Sequence, residues 1–214
     1  MAVVLSAFAI DSPFASYAAL SALVAQWTHR TDLGDLLPGF VGLAESRISK
    51  DVRLACQLTS VDLVQAAGVH GTDVPDDWLA FKTLAPSTDS NRLLEYVTPE
   101  QMALLEREQG YTTPRAYTID GFRLITGPVT TAPYTLTARY YARLPSLLIT
   151  DSNWLSLNHP GVYLWAVLIE AMLFTQNTDQ MAAYQQRYLA EVEQLRSAER
   201  MAAHSGSTLR IRTR

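Results

Sequence analysis

Cysteine is nearly missing from this chain: Cys56 stands alone in 214 residues. One thiol excludes both a disulfide framework and a thiolate zinc site, and it is compatible with a reducing compartment. Histidine is scarce as well. His29, His70, His159 and His204 are scattered, each in a turn or near a helix end, with no pair at metal-ligand spacing. The chain lacks a Gly-rich phosphate loop and a nucleophile elbow. It also lacks a run of the ~20 apolar residues that a membrane-spanning helix needs. The opening MAVVLSAFAI is apolar but carries no positive region, so it does not read as a secretory signal. A strand or extended arm packed on a neighbour is the better reading. A net charge of −4 and a pI near 5.5 exclude a protein that coats nucleic acid over its whole surface. These absences leave no catalytic constellation, and no cofactor, metal or membrane partner is expected.

What is present is organised around residues 153–174, NWLSLNHPGVYLWAVLIEAMLF. From Val162 to Phe174 only Glu170 is charged, and a helix apolar on every side belongs in a core when it is too short to cross a bilayer. Glu170 should either pair with an arginine inside the molecule or face a neighbouring subunit. Upstream, Ser12-Pro13 is a helix-opening signal, with Tyr17, Leu20, Leu23, Val24 and Trp27 on one face. His29 to Asp32 break that pattern. A second helix is expected over residues 35–57, its stripe being Leu37, Phe40, Val41, Ala44, Ile48, Val52 and Ala55. Arg47 is placed to pair with Asp51 at i,i+4. The two helices should lie antiparallel. Cys56 beside this stripe reads as packing rather than nucleophile.

Beyond Leu58 the period changes from helical to alternating, a strand signature, in Thr59 to Val64. Trp78 to Leu84, Leu93 to Val97 and Tyr134 to Tyr141 are further strand candidates. Thr98-Pro99-Glu100-Gln101 is a capping box opening a short helix that Gly110 should close. Tyr117-Thr118-Ile119 and Phe122-Arg123-Leu124 flank Asp120-Gly121, the expected two-residue hairpin turn. Asp73, Asp76 and Asp77 could bind a hard cation, but their setting is ordinary turn chemistry. Trp154 and Trp165 are expected in the core rather than in a ligand pocket. A last helix opens at Asn177 to Gln180, with Met181, Tyr184, Tyr188, Val192, Leu195 and Ala202 as its stripe.

The tail SGSTLRIRTR is a flexible joint followed by Leu209 and Ile211 alternating with Arg210, Arg212 and Arg214, and it holds no acid. That pattern suits an added strand or an extended arm in a partner's acidic groove. Three phosphate contacts would bind DNA weakly and salt-sensitively, so a DNA-binding regulator ranks below protein contact. The expected fold class is α+β, mainly α: a helical bundle with an inserted small antiparallel β module and an extended C-terminal tail. The expected divisions are 1–58 (arm and two helices), 59–145 (β-rich module with one short helix), 146–204 (C-terminal helices) and 205–214 (basic tail).

An ordered series of motifs carries a resemblance. It comprises Arg30-Thr31-Asp32-Leu33, FVGLAESRISKDVR from Phe40, Pro75-Asp76-Asp77-Trp78-Leu79, Leu94-Glu95-Tyr96-Val97-Thr98-Pro99 and Pro114-Arg115-Ala116-Tyr117-Thr118-Ile119. It continues with Tyr140-Tyr141-Ala142, Asn153-Trp154-Leu155, Tyr163-Leu164 to Glu170-Ala171, and Leu209-Arg210-Ile211-Arg212. In order and spacing this resembles the head-to-tail adaptor (connector) proteins of tailed bacteriophages, especially short-tailed ones. Residues before about Ser12 match nothing in that pattern, and Ser49-Lys50 replaces an expected Asn-Arg. The resemblance implies a structural virion protein, not an enzyme. It implies a homo-oligomeric ring of twelve copies under the portal protein at the capsid vertex, extending the channel for genomic DNA and docking tail or nozzle proteins. Such proteins are made in the host cytoplasm. It also implies that Leu209, Arg210, Ile211, Arg212 and Arg214 contact the portal. A stopper or tail terminator is the alternative within the same class of virion proteins.

Overall fold

The computed structural model describes residues 16–69, 71–108 and 110–204. The chain is mixed α+β and divides into two compact units. One combines the chain up to Ala55 with the chain from Leu144 onward, and the other is Cys56–Arg143.

The first unit is helical and is built on α6 (Pro160–Phe174), which starts with a proline in its first turn. Ten of its residues are buried, from Val162 to Met172, as an apolar run of this length requires in water. Around it pack α1 (Tyr17–Thr28), α2 (Leu37–Asp51), α5 (Trp154–Asn158) and α7 (Thr178–His204). The short α4 (Leu147–Thr150) lies against α2. Local chemistry sets the ends. Ser16 caps α1 by accepting from the Ala19 amide at 3.1 Å, and His29 stops it in the left-handed region at φ 52°. The Ser12-Pro13 signal lies outside the described residues. Asn177 caps α7 by accepting from the Gln180 amide, as its sequence predicts.

Two helical expectations change. α2 ends at Asp51, not at Gln57, because Val52 turns extended (φ −124°, ψ 138°). The Arg53 guanidinium folds back onto the Ser49 and Val52 carbonyls, satisfying groups that another turn would have used. Val52 and Leu54 stay buried, while Ala55 and Cys56 are exposed, so Cys56 is not a packing residue. α1 and α2 each pack on α6. Finally, Ala202 lies exposed at the far end of α7, past the buried stripe of Tyr184, Tyr188, Val192 and Leu195.

The second unit holds two sheets. β1 (Leu58–Gln65), β7 (Tyr134–Ala142) and β3 (Trp78–Pro86) form one, with β7 central and both pairings antiparallel. The other runs β2 (Gly71–Asp73), β6 (Arg123–Gly127), β5 (Ala116–Asp120), β4 (Glu95–Tyr96). Val74, Leu84, Leu94, Leu124, Leu136 and Ala138, drawn from both sheets and their connections, make its core. The module is not purely antiparallel, because β4 pairs with β5 in parallel. A crossover carrying α3 (Pro99–Leu105) separates those two strands, as a parallel pair demands. The Thr98 and Gln101 capping box is present, but α3 ends at Leu105 rather than at Gly110. In the β5–β6 hairpin Asp120 pairs with Arg123, so the loop residues are Gly121 and Phe122. The turn thus sits one residue later than Asp120-Gly121, with the positive φ (60°) on Gly121.

Candidate interaction surfaces

The helical unit is fastened by polar contacts at named points on its apolar post. Glu170 is buried on α6 and accepts from Arg47 of α2, Nη2 at 2.5 Å and Nε at 3.2 Å. That settles the open question about its single charge: it pairs inside the unit. Arg47 therefore does not serve Asp51. Asp51 instead accepts from the Tyr188 hydroxyl of α7 at 2.7 Å, and its main-chain carbonyl accepts from Arg196. Tyr188 titrates far above an ordinary phenol, first because it is buried and then because Asp51 holds its proton. Tyr163 is raised as well, chiefly by burial, while the Asn153 amide that donates to its oxygen at 2.7 Å works the other way. Asn153 also donates to the Pro145 carbonyl and caps α5. Glu45 accepts from the Leu147 amide and so anchors the start of α4.

These fastenings leave distinct surfaces. Leu36, Phe40, Leu43 and Arg47 recur at helical spacing on and just before α2, and Phe40 meets Phe174 at 5.7 Å. Leu36, Leu43, Leu173 and Phe174 remain exposed there, forming an apolar margin beside the buried ion pair. Elsewhere Trp165 stacks on Tyr184 (5.8 Å), takes the edge of Trp27 (5.1 Å) and lies under the Arg187 guanidinium (5.0 Å). Trp165 is therefore packed, as expected. Trp154 is exposed instead, with the His159 ring tilted against it at 5.6 Å.

The β unit offers edges. β1 and β3 border the first sheet, β2 and β4 the second. β3 breaks register with β7 twice, which blunts that edge against pairing. β1 is eight residues long, pairs in unbroken register, and exposes Val64. A hollow of about 340 Å³ opens at the hairpin tip, walled by Asp73, Asp76, Trp78, Phe122 and Arg143. Asp77 is not aimed there as a ligand; it accepts from the Tyr140 hydroxyl at 2.9 Å. Among the described residues no group of three His, Cys, Asp or Glu side chains is placed to hold a metal ion, and no helix is long and apolar enough to cross a membrane. A buried polar knot was not foreseen: Thr126 donates to Gln65 at 2.9 Å, and Tyr134 donates to the same oxygen. Gln65 lies one residue past the alternating stretch Thr59 to Val64, and in the structure it closes β1, paired with Tyr134 of β7. Leu209, Arg210, Ile211, Arg212 and Arg214 lie outside the described residues, as do the side chains of His70 and His204.

What the described residues present is a set of exposed helical and sheet-edge surfaces. The family model for the SU10 adaptor protein matches residues 15–212. The chain belongs to that family, and so is a phage adaptor, a structural component of the virion. No curated protein matches it.

Proposed function

We propose that this chain is the subunit of a ring joining the phage head to its tail. Its helices act as the bundle of a rigid wedge, and twelve wedges close a heterologous ring on the portal. The ring extends the channel through which genomic DNA passes without sequence-specific binding, and its far side docks tail or nozzle proteins. The observation that carries this reading is the family match over nearly the whole chain. The exposed Leu36, Leu43, Leu173 and Phe174 of the α2 and α6 ends support it, because exposed large apolar side chains suit a subunit contact.

In this reading the basic tail anchors each copy. Leu209 and Ile211 fill pockets on the portal while Arg210, Arg212 and Arg214 meet its acidic rim. Repetition around the ring turns a weak single contact into a durable one. Mixing purified protein with portal rings and imaging them by electron microscopy tests the assembly: an added ring of matching symmetry is expected, and bare portal rings refute it. Deleting residues 205–214 should leave a folded protein that no longer sediments with portal-containing heads. Continued co-sedimentation would sink the anchoring role.

A further inference from the structure

The tip of the β5–β6 hairpin presents one aromatic ring to solvent on a fixed mount. Phe122 is 82% exposed. Gly121 supplies the positive φ of the turn, and the Phe122 carbonyl accepts from the Val74 amide at 3.0 Å. Charges of opposite sign flank the ring. Asp120 is exposed and enters no ion pair or side-chain hydrogen bond among the described residues. Arg123, on the other side, is exposed and loosely paired with Asp73 at 3.7 Å. The helical unit, for its part, holds a hollow of about 220 Å³ where α1 runs into the connection to α2. The buried Val24, Leu33 and Leu37 line it together with the small Ala22 and Ala25. An apolar cavity of about 150 Å³ already accepts a benzene ring. The exposed Arg30 also lines this hollow, and it donates to Asp32 from Nε at 2.9 Å and from Nη2 at 2.5 Å. A guanidinium has more N–H groups than one carboxylate takes, so Arg30 retains donors for a second acid.

We propose that Phe122 of one copy enters the α1–α2 hollow of the next copy around the ring, with Asp120 of the incoming hairpin meeting Arg30 and Arg123 meeting Asp32. This contact rests on the ring reading above and supplies the subunit pairing that a ring needs. Size and charge together select the occupant. The protruding group is a phenyl ring, and the hollow has the volume and the apolar lining for one. The hairpin carries an acid before the ring and a base after it, and the hollow answers with a base and an acid, Arg30 and Asp32. Knob and hollow belong to different units of the chain. The contact is therefore heterologous and repeats from copy to copy, as a ring requires and a twofold dimer does not. Apolar surface on both copies leaves water together, and an aromatic side chain seated in a pocket is where interface energy concentrates.

The test uses the full chain added to portal rings, imaged for the new ring and run on a non-reducing gel. In a Cys56→Ser background, Phe122→Cys is paired with Ala22→Cys or with Ala25→Cys. Mild oxidation of the portal-bound protein should give a ladder of linked subunits from at least one pair, and no ladder from any single cysteine. Phe122→Ala should raise the concentration needed for ring addition about tenfold, with an unchanged unfolding midpoint. Asp120→Arg should weaken ring addition as well, and adding Arg30→Asp to it should restore it. Absence of the ladder, or ring addition indifferent to Phe122→Ala, overturns the contact in favour of another occupant of the hollow and leaves the ring reading standing. A link closed within one chain, seen as a monomer of altered mobility, overturns it equally. A charge swap that restores nothing overturns the pairing of Asp120 with Arg30. If the wild-type protein adds no ring to portals, the ring reading fails and this contact fails with it.

Discussion

The two units of this chain solve burial differently. In the helical unit one element, α6, is wrapped on nearly every side, and a single extensive cluster runs from Leu20 through Val167 to Leu195. In the β unit the hydrophobic cluster is small, six buried residues assisted by half-buried aromatics such as Trp78, Phe81 and Tyr117. Polar groups follow the same contrast. The helical unit ties its buried charge to a partner on another helix, Glu170 to Arg47. The β unit buries neutral groups, and among its described residues Gln65 Nε2, Trp78 Nε1 and Thr118 Oγ1 have no hydrogen-bond partner. A rigid post and a thinner, less satisfied module are therefore combined in one chain.

Truncating the post should have the largest effect. Leu168 is fully buried, and Leu168→Ala should cost about 3–4 kcal/mol, read as a lower urea midpoint for loss of helical signal. A cost below about 1 kcal/mol would mean that α6 is not the organising element. Next comes the ion pair. Arg47→Ala strands a carboxylate whose side chain is only 8% exposed and should cost about 3 kcal/mol, at the low end of such losses because Arg47 is itself one-third exposed. Replacing both partners by leucine should recover most of that loss. If the double variant is no better than the single one, the pair does more than neutralise Glu170.

Alkaline pH gives a third measurement. The folded pKa values of Tyr163 and Tyr188 are raised by burial, so each phenol stays neutral in the folded state while the unfolded chain ionises. Their contribution is complete below about pH 10 and falls above it by ~1.4 kcal/mol per pH unit for each group. Unfolding midpoints recorded between pH 9 and pH 11.5 should fall on that slope, and Tyr188→Phe should flatten it. A wild-type curve level through this window would contradict both assignments. The smallest effect belongs to the β unit. Thr98→Ala removes the cap of α3 and should cost about 1 kcal/mol, seen as faster amide exchange confined to α3.

Much of the helical unit could be read in advance because its signals are local. The unbroken apolar run announces α6, and the Asn177 and Thr98 caps lie within three residues of the amides they serve. Errors arose where a distant partner overrode a local preference. Spacing offers Asp51 to Arg47, yet the chosen carboxylate is 123 residues away, and Asp51 is taken by Tyr188 across 137. Helical periodicity carried α2 on to Gln57, because Val52 remains buried after the helix has ended. In the β unit alternation found β1, β3 and β7, but nothing local says that β4 should run parallel to β5, and three-residue β2 has no period to detect. Asp120-Gly121 was the right kind of turn sequence at the wrong register, which only the pairing of Asp120 with Arg123 fixes. The candidate surfaces were least legible of all, since exposure of Leu36, Leu43 and Ile149 depends on what the rest of the chain leaves uncovered.

Asp51 has a mechanical consequence. It is the last residue of α2, and α7, about 40 Å long at 1.5 Å per residue, grips it twice, through Tyr188 on the carboxylate and Arg196 on the carbonyl. The end of α2 is therefore held to α7 by two contacts eight residues apart on that helix, one on the side chain and one on the main chain. Losing either contact alone would leave the other holding the two helices at that point, so the end of α2 should come free of α7 only when both are broken.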